Sequence, residues 1–312
     1  MTTIVVQSPG LFTTVQDLGR EGFGPMGVSP SGAADPISLR LGNRLVGNAD
    51  GAAGLEVTLV GGTFLFPEGA VMALTGSDFD ATLDNAPVGL WTAFEAKPGQ
   101  TVRLGATRSG ARCYLCVQGG IAVKPFLNSA STHILSGLGG LDGRPLRKGD
   151  VLKIGSAKAP FRKRTVAPEI LRRLSPRKVL RATPGPQSDW FSESSLQAFY
   201  TRAYRVTEES DRMGLRLDGP RLPERSGGQM ITEGVPLGAI QITSAGFPII
   251  LFVEQQTTGG YPKIANVISA DLASLGQLRP RDEIRFEGVD WQTARSLLVE
   301  QEKLLSSPEL NV

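Results

Sequence analysis

The residues best suited to chemistry form one short polar segment, 256–261, which closely follows the apolar run 249–253. Its members are Gln256, Thr257, Thr258, Gly259, Gly260 and Tyr261. The amide, hydroxyl and phenol groups can orient a substrate that carries an amide, and the paired glycines let the backbone approach it closely. A hairpin turn is the alternative, but a turn seldom places so many polar groups together. The pattern therefore predicts a polar pocket at the end of a buried strand.

Two arginines four residues apart, Arg212 and Arg216, are candidates for binding an anion. If residues 215–217 form a strand, Arg212, Gly214 and Arg216 share one face of it. The planar guanidinium group of arginine binds both oxygens of a carboxylate. The alternative is an ion pair between Asp211 and Arg212 on the surface, which would contribute little to stability. The sequence spacing alone favours this alternative.

The segment 27–35 (GVSPSGAAD) precedes an expected helix and is rich in small residues. Backbone N–H groups at the start of a helix can bind an anion. A helix cap at Asp35 is the simpler interpretation and explains half of the pattern. No lysine follows the glycines, so the segment is not a phosphate-binding P-loop.

The cysteines and the single histidine argue against several kinds of catalytic site. Cys113 and Cys116 lie three residues apart in a strand-like run, so their sulfur atoms should point to opposite faces and pack in the core. One histidine, His133, excludes a site with several histidine ligands for a metal. No recognisable nucleophile motif surrounds it, so we expect a loop residue.

Short apolar runs separated by turn residues predict a mainly β protein with a few helices, folded as barrels or sandwiches. Strands at 55–59 and 63–66 flank Gly61 and Gly62, which predicts a hairpin. A helix should begin after Asp35 with Pro36 at its first position. A last helix should follow Asp290.

The chain of 312 residues is long enough for two domains. The basic, proline-containing stretch 156–177 differs in character from its flanks and suggests a linker or surface crossing. We predict an amino-terminal β-rich domain at 1–160, a linker at 161–177 and a carboxyl-terminal domain at 178–312.

The overall charge and hydropathy argue against a nucleic-acid-binding, membrane or secreted protein. A formal net charge of +3 is too small to argue for nucleic-acid binding. No apolar run approaches the length that spans a membrane, and the amino terminus lacks the features of a signal peptide. We therefore expect a cytoplasmic protein that binds neither nucleic acid nor membrane.

Several long motifs together resemble one known family. They are TVQDLGREGFGPMGVSPSGAAD (14–35), LGNRLVGN (41–48), STHILSGLGGLDGRPLRKGD (131–150), SDRMGLRLDG (210–219), EGVPLGAIQI (233–242) and QTTGGYPKIA (256–265). In this order they resemble the biotin-dependent carboxyltransferase family over essentially the full chain. That family includes the C subunit of the prokaryotic 5-oxoprolinase, the KipA protein and the second half of the carboxyltransferase domain of urea carboxylase.

The resemblance implies a fold, a reaction and partners. The fold is two β-barrel-like domains, of which the carboxyl-terminal one is cyclophilin-like. The 5-oxoprolinase reaction is the ATP-dependent opening of 5-oxoproline to glutamate. The implied partners are the A subunit of 5-oxoprolinase and its KipI-like B subunit, and the chain alone is expected to be inactive.

Three positions depart from the family motifs. Gln255 precedes the QTTGGYP motif, where the family often has arginine or cysteine. Ala130 stands where an arginine is common, and Arg281 replaces the glycine of a Pro-Gly-Asp sequence. If the missing arginines bind phosphate or carboxylate, these changes affect the substrate and not the fold.

Opening a lactam requires that its amide carbonyl become more electrophilic, and O-phosphorylation by ATP has this effect. We therefore expect a site of preorganised hydrogen-bond donors and cations, without a nucleophilic side chain. The expected catalytic residues are Arg212, Gln256 and Tyr261. The expected substrate-binding residues are Arg216, Thr257, Thr258, Gly259, Gly260 and, from the first domain across a cleft, Asp17, Arg20 and Asp35.

Two alternative functions are open. The first is a carboxyltransferase that acts on urea or a similar amide, which would require biotin on a carrier protein. The second is a regulatory protein that binds a KipI-like partner without turnover, as KipA does. Catalytic activity of the co-expressed proteins distinguishes an enzyme from a regulator.

Overall fold

The computed structural model describes residues 2–156, 160, 162–225 and 230–307, which group into two compact units. The amino-terminal unit contains the described residues within 1–20, 31–174 and 306–312. The carboxyl-terminal unit contains those within 21–30 and 175–305. The boundaries predicted from the sequence, with a linker at 161–177, remain a proposal.

The amino-terminal unit is built mainly from short strands. In chain order these are β1 (Thr3–Ser8), β2 (Phe12–Gln16), β3 (Gly54–Thr58), β4 (Thr63–Phe66), β5 (Ala70–Gly76), β6 (Thr82–Leu83), β7 (Ala86–Pro87), β8 (Ala93–Ala96), β9 (Gln100–Arg103), β10 (Arg112–Val117), β11 (Ile121–Ala122) and β12 (Val151–Ile154). Within the described residues they form two sheets, with strand orders β11-β12-β1-β4-β9-β6-β7 and β2-β3-β10-β5-β8.

The core of this unit lies between the two sheets. Alternating apolar side chains of β1 and β4 from one sheet and of β3 and β10 from the other belong to one buried cluster. Helix α1 (Pro36–Leu45) packs against β5 and β10, so β10 is buried along both of its faces. A second helix, α2 (Pro168–Arg173), buries Ile170.

Helix α1 begins where the sequence predicts. The Asp35 carboxylate accepts hydrogen bonds from the backbone N–H of Ser38 at 3.0 Å and from its hydroxyl at 2.6 Å, and Pro36 occupies the first turn. The first of these bonds satisfies a backbone N–H group that the start of a helix otherwise leaves without a partner.

The predicted hairpin at Gly61 and Gly62 is wrong. β3 pairs with β2 and β10, while β4 pairs with β1 and β9 in the other sheet. The glycines instead let the chain pass close to its neighbours, because a Cβ atom on Gly61 would lie 2.2 Å from the Cβ of Leu104.

The carboxyl-terminal unit contains a closed barrel. The strands and helices of this unit are β13 (Val179–Pro184), α3 (Glu193–Thr201), β14 (Tyr204–Val206), β15 (Gly214–Asp218), β16 (Glu233–Gly234), β17 (Ala239–Ile242), β18 (Pro248–Leu251), β19 (Thr258–Gly259), β20 (Lys263–Val267), α4 (Leu272–Leu275), β21 (Glu283–Gly288) and α5 (Trp291–Leu305). Within the described residues the barrel order is β13-β20-β17-β18-β15-β14-β21, and β21 pairs with β13 in parallel to close it. The strands β16 and β19 form a separate ribbon.

The mainly β fold predicted from the sequence is confirmed, including a barrel in the carboxyl-terminal unit. Three one-turn helices occur among the described residues, at Gly24–Met26, Ser188–Trp190 and Ser269–Asp271. In the part of the chain that is described, no helix has the length and hydropathy needed to cross a membrane.

Candidate functional site

The polar segment 256–261 follows barrel strand β18. A turn over Val253 and Glu254 ends the strand, and Thr258 and Gly259 then pair with Gly234 and Glu233 of β16. Gln256, Thr258, Gly260 and Tyr261 are exposed, Thr257 is half-buried and Gly259 is buried. The segment therefore presents most of its polar groups to solvent, as a binding surface requires.

Three carboxamides lie in or beside this segment, those of Gln241, Gln255 and Gln256, and we call them the glutamine cluster. The Nε2 atom of Gln256 donates to Oε1 of Gln241 at 3.5 Å. The Nε2 atom of Gln241 in turn donates to the carbonyl of Tyr261 at 3.3 Å. These contacts link strand β17, at the barrel wall, to both ends of the polar segment.

Gln255 completes the cluster and offers an acceptor. Its Nε2 atom donates to the carbonyl of Val235 at 3.1 Å, and the Val235 N–H donates to the carbonyl of Thr257. The Oε1 atom of Gln255 is buried and has no hydrogen-bond partner among the described residues. Such an acceptor is normally satisfied by a ligand or by an ordered water molecule.

Gly259 is required by the glutamine cluster. A Cβ atom at this position would lie 2.6 Å from Nε2 of Gln241 and 2.9 Å from Nε2 of Gln256. The neighbouring Gly260 has room, since the nearest atom to its Cβ would be Oγ1 of Thr232 at 3.5 Å. A methyl group at 259 would therefore displace the two amide groups, whereas one at 260 would not.

Arg212 lies buried beside the turn that precedes the polar segment. Its Nε atom donates to Oε1 of Glu254 at 2.5 Å, and its carbonyl accepts the Glu254 N–H at 2.8 Å. The side chains of Arg212 and Glu254 are 7% and 4% exposed. Arg212 is thus a buried cation with a carboxylate partner and not a surface residue.

Arg216 lies apart from this environment, and the expectation that it shares a strand face with Arg212 is wrong. Strand β15 begins only at Gly214, so Arg212 belongs to the bend before it. Within the strand Leu215 and Leu217 are buried and Arg216 is exposed, which places its side chain on the opposite, outer face.

A second buried cation, Lys263, stands at the start of β20. Its ammonium group donates to a carboxylate oxygen of Glu233 on the β16–β19 ribbon. Gln187 bridges the pair, because its Nε2 atom donates to the same Glu233 oxygen at 2.9 Å and its Oε1 atom accepts the Lys263 N–H at 3.1 Å. Hydrogen bonds from Lys263 and Gln187 hold the pKa of Glu233 below its usual range.

Asp17 and Arg20 come together in the amino-terminal unit, at the loop 129–132. The Asp17 carboxylate accepts hydrogen bonds from the hydroxyls of Ser129 and Ser131 at 2.7 and 2.5 Å. The N–H groups of Gly19 and Ala130 also donate to it. Ala130 therefore acts through its backbone, although the family motif has an arginine there.

Arg20 is buried in the same loop region. It donates to the carbonyl of Ser131, and its guanidinium carbon lies 5.6 Å from the ring centroid of Phe126. These contacts assign Asp17 and Arg20 a part in holding this loop. A part in ligand binding stays a prediction.

Asp35 lies near a buried network that includes a carboxylate and a phenol. Its N–H donates to the hydroxyl of Tyr114 at 2.7 Å, and that hydroxyl donates to Oε2 of Glu56 at 2.7 Å. The same Glu56 oxygen accepts the N–H of Ala34 at 2.8 Å. Burial, followed by the charges of Glu56 and Asp35, raises the pKa of Tyr114, so this phenol stays protonated.

The cysteines are structural, as the sequence predicts. Cys113 belongs to the core between the sheets, while Cys116 packs against α1, with its sulfur 3.7 Å from the carbonyl of Leu39. Both thiols are buried and free. Among the described residues no group of three or more His, Cys, Asp or Glu side chains is arranged to hold a metal.

Comparison with known proteins places the chain in a family. The family described as "Carboxyltransferase domain, subdomain A and B" matches residues 26–288. The chain belongs to this family. The resemblance stated from the sequence motifs is thereby confirmed.

Two 5-oxoprolinase C subunits resemble the chain along most of their length. The chain is 38% identical to the 5-oxoprolinase C subunit of Haemophilus influenzae over 284 residues, which cover 91% of this chain and 90% of that protein. It is 39% identical to the 5-oxoprolinase C subunit of Escherichia coli over 279 residues, which cover 89% and 88%.

One part of a solved structure has the same fold as this chain. In the crystal structure of the K. lactis urea amidolyase, the matching region covers 96% of this chain with a TM-score of 0.90 and 33% identity. The matching region is 19% of the amidolyase chain, so this chain corresponds to one part of that larger protein.

Sequence reasoning missed two groups that contact or neighbour the polar segment. Gln241 lies in an apolar strand and gave no local signal, because its role depends on pairing across the barrel. Lys263 was visible in QTTGGYPKIA, two residues beyond Tyr261, but only the structure shows that its ammonium group is buried.

Proposed function

We propose that this chain is the C subunit of an ATP-dependent 5-oxoprolinase, which helps to activate 5-oxoproline for ring opening to glutamate. In this proposal it works in the cytoplasm with the A subunit of the enzyme and with a KipI-like B subunit, and it is inactive alone. The observation that carries the proposal is the alignment with the 5-oxoprolinase C subunits of two organisms, at 38% and 39% identity across about nine-tenths of each.

The glutamine cluster supports an amide-bearing substrate. A lactam offers one N–H donor and one carbonyl acceptor, and carboxamides supply both complements. The partnerless Oε1 atom of Gln255 suits the lactam N–H, and the exposed Gln256 and Tyr261 suit groups at the lactam carbonyl. Preorganised donors of this kind stabilise charge that develops on a carbonyl oxygen.

The cations next to the segment suit the anionic groups of the reaction. Arg212 and Lys263 are both buried and both have a carboxylate partner in the same unit. We assign ATP to the assembled complex and not to particular residues of this chain. When bound there, ATP supplies the phosphoryl group that activates the amide oxygen.

A carboxyltransferase acting on urea or a similar amide is the second candidate. The fold match to urea amidolyase, with a TM-score of 0.90, favours it. The ureido ring of biotin, like urea, is an amide-type group, so the carboxamides of the glutamine cluster fit it as well as a lactam. The transferred carboxyl group would come from carboxybiotin on a carrier protein, which leaves biotin free of the carboxyl group.

Reconstitution distinguishes these functions. The chain is co-expressed with the A and B subunits, and glutamate is measured with 5-oxoproline and ATP, while biotin-dependent carboxylation of urea is assayed in parallel. Glutamate formation only by the full set is the expected result. Urea carboxylation without glutamate formation would establish the second candidate, and tight binding to the B subunit with no turnover would establish a regulator.

A further inference from the structure

We propose that Lys263 binds the carboxylate of the substrate, which takes the place of Glu233 as the partner of the ammonium group. The inference rests on the proposed function and specifies its substrate class as a small cyclic amide that carries a carboxylate. Lys263 lies outside the set of residues expected from the sequence to bind substrate.

The two partners of this ion pair differ sharply in burial. The side chain of Lys263 is 4% exposed, whereas that of Glu233 is 44% exposed. Releasing Glu233 returns its carboxylate to water at small cost, because the group is already partly hydrated. Lys263, in contrast, requires an anionic partner wherever it stays buried. The pair is therefore suited to exchange of the carboxylate and not of the ammonium group.

Gln187 provides a second contact for an incoming carboxylate. Its Oε1 atom is held by the backbone N–H of Lys263, which directs its Nε2 group towards Glu233. A carboxylate at the Glu233 position would accept from both the ammonium group and this amide. Charge-assisted bonds from two fixed donors are the strong kind.

The position of Lys263 relative to the glutamine cluster matches the shape of such a substrate. Gln241 and Lys263 are paired in register between β17 and β20, so they are cross-strand neighbours. Side chains of directly paired residues lie on the same face of a sheet. The amide-binding carboxamides and the buried cation are thus adjacent, as are the lactam and the carboxylate of 5-oxoproline.

Glu233 is placed where it can respond to binding. It pairs with Gly259 in the ribbon of β16 and β19, and each of these strands contains two residues. So short a ribbon contributes few hydrogen bonds, which makes displacement of Glu233 inexpensive in free energy. Its ion pair with Lys263 is then a contact of the state without substrate.

Steady-state kinetics of the assembled complex test the exchange, with the variants Lys263→Met, Lys263→Arg and Glu233→Gln. We expect Lys263→Met to raise KM for 5-oxoproline at least about tenfold, and Lys263→Arg to retain most of the affinity. Glu233→Gln removes the competing carboxylate, so KM should stay the same or fall. Lys178→Met is the matched control, since Lys178 pairs with Asp282 at 2.8 Å but is 60% exposed.

A purely structural ion pair gives a different pattern. In that case Lys263→Met and Glu233→Gln would raise KM together, and this result would overturn the inference, as would an unchanged KM in Lys263→Met. Glu233→Gln keeps the inference falsifiable if Lys263→Met does not fold, because its side chain is half-exposed and a raised KM in this variant alone would overturn the inference. A wild-type complex that forms no glutamate would instead contradict the proposed function itself.

Discussion

Arg212 and Glu254 contact each other through their side chains, at 2.5 Å, and through a backbone hydrogen bond, at 2.8 Å. The backbone bond continues the pairing of β15 with β18 beyond the last strand residues. The side-chain bond joins the bend before β15 to the turn that leads into Gln256. The pair therefore fixes the base of the polar segment, whatever else Arg212 binds.

Loss of the Arg212 side chain should destabilise the protein. Arg212→Ala removes the guanidinium group that binds the buried Glu254 carboxylate, which costs roughly 3–5 kcal/mol in the free energy of unfolding. The exposed Arg216→Ala should change it by less than about 0.5 kcal/mol. Urea-induced unfolding of the isolated chain measures both. Equal effects at the two positions would contradict the burial of Arg212.

The double variant Arg212→Met with Glu254→Gln separates the structural part of Arg212 from substrate binding. It removes both charges, so we expect it to recover most of the lost stability. If Arg212 also binds an anion in the reaction, kcat/KM of the complex should stay about two decades low. Recovery of both stability and kcat/KM would limit Arg212 to a structural role.

Gly259→Ala should lower activity much more than Gly260→Ala. The added methyl group at 259 would collide with the amide nitrogens of Gln241 and Gln256, whereas the same group at 260 has room. We expect KM for 5-oxoproline to rise roughly tenfold in Gly259→Ala, because the amide donors must move. Comparable kinetics for the two variants would contradict the assigned positions of the glutamines.

Stability in acid should depend on Asp150. Arg144 donates to both oxygens of this carboxylate, at 2.8 and 2.9 Å, and these hydrogen bonds lower the pKa of Asp150. A carboxyl group whose pKa is lower in the folded state stabilises the protein at pH values above its pKa in the unfolded chain. This stabilisation is lost as the pH falls through the pKa of the folded state. The contribution is therefore complete near neutral pH and disappears in acid.

Asp150→Asn tests this dependence. We expect it to destabilise the protein by about 1.5–3 kcal/mol at pH 7 and by much less in acid, where wild-type Asp150 is protonated as well. Melting temperatures across the acid range measure the difference. Asp142→Asn is the control, because that carboxylate is exposed and lies 3.5 Å from Arg144. A difference between Asp150→Asn and wild type that does not vary with pH would be the contrary outcome.

The two cysteines should not react in the native protein. Burial raises the pKa of Cys113 to about 12 and that of Cys116 further, so neither forms a thiolate at neutral pH. Labelling with a thiol-specific reagent should give almost no product before unfolding and two labelled thiols after it. Rapid labelling of either cysteine under native conditions would contradict the core assignment.

The sequence predicted best what depends on local pattern. The mainly β fold, the start of α1 at Asp35 and Pro36, and the opposite faces of Cys113 and Cys116 all follow from residue types at short spacing. Arg281 is an exception to its local backbone, because its φ of 73° lies in the left-handed region that favours the glycine of the family motif.

What the sequence did not predict depends on pairing between distant segments. Gly61 and Gly62 look like a hairpin, but β3 and β4 join different sheets. Arg212 and Arg216 look equivalent, but only Arg212 lies where the turn after β18 brings a carboxylate, Glu254, against it. Such arrangements are fixed by the register of strands far apart in the chain.

In the proposed function the segment 256–261 binds the substrate amide, and Gln256 tests this binding most directly. The measurement is kcat/KM for ATP-dependent glutamate formation by the assembled complex with Gln256→Leu, which removes the carboxamide and keeps similar size. We predict a fall of about tenfold or more, with no change for the control Gln197→Leu at an exposed position on α3. An unchanged kcat/KM in Gln256→Leu would contradict the account.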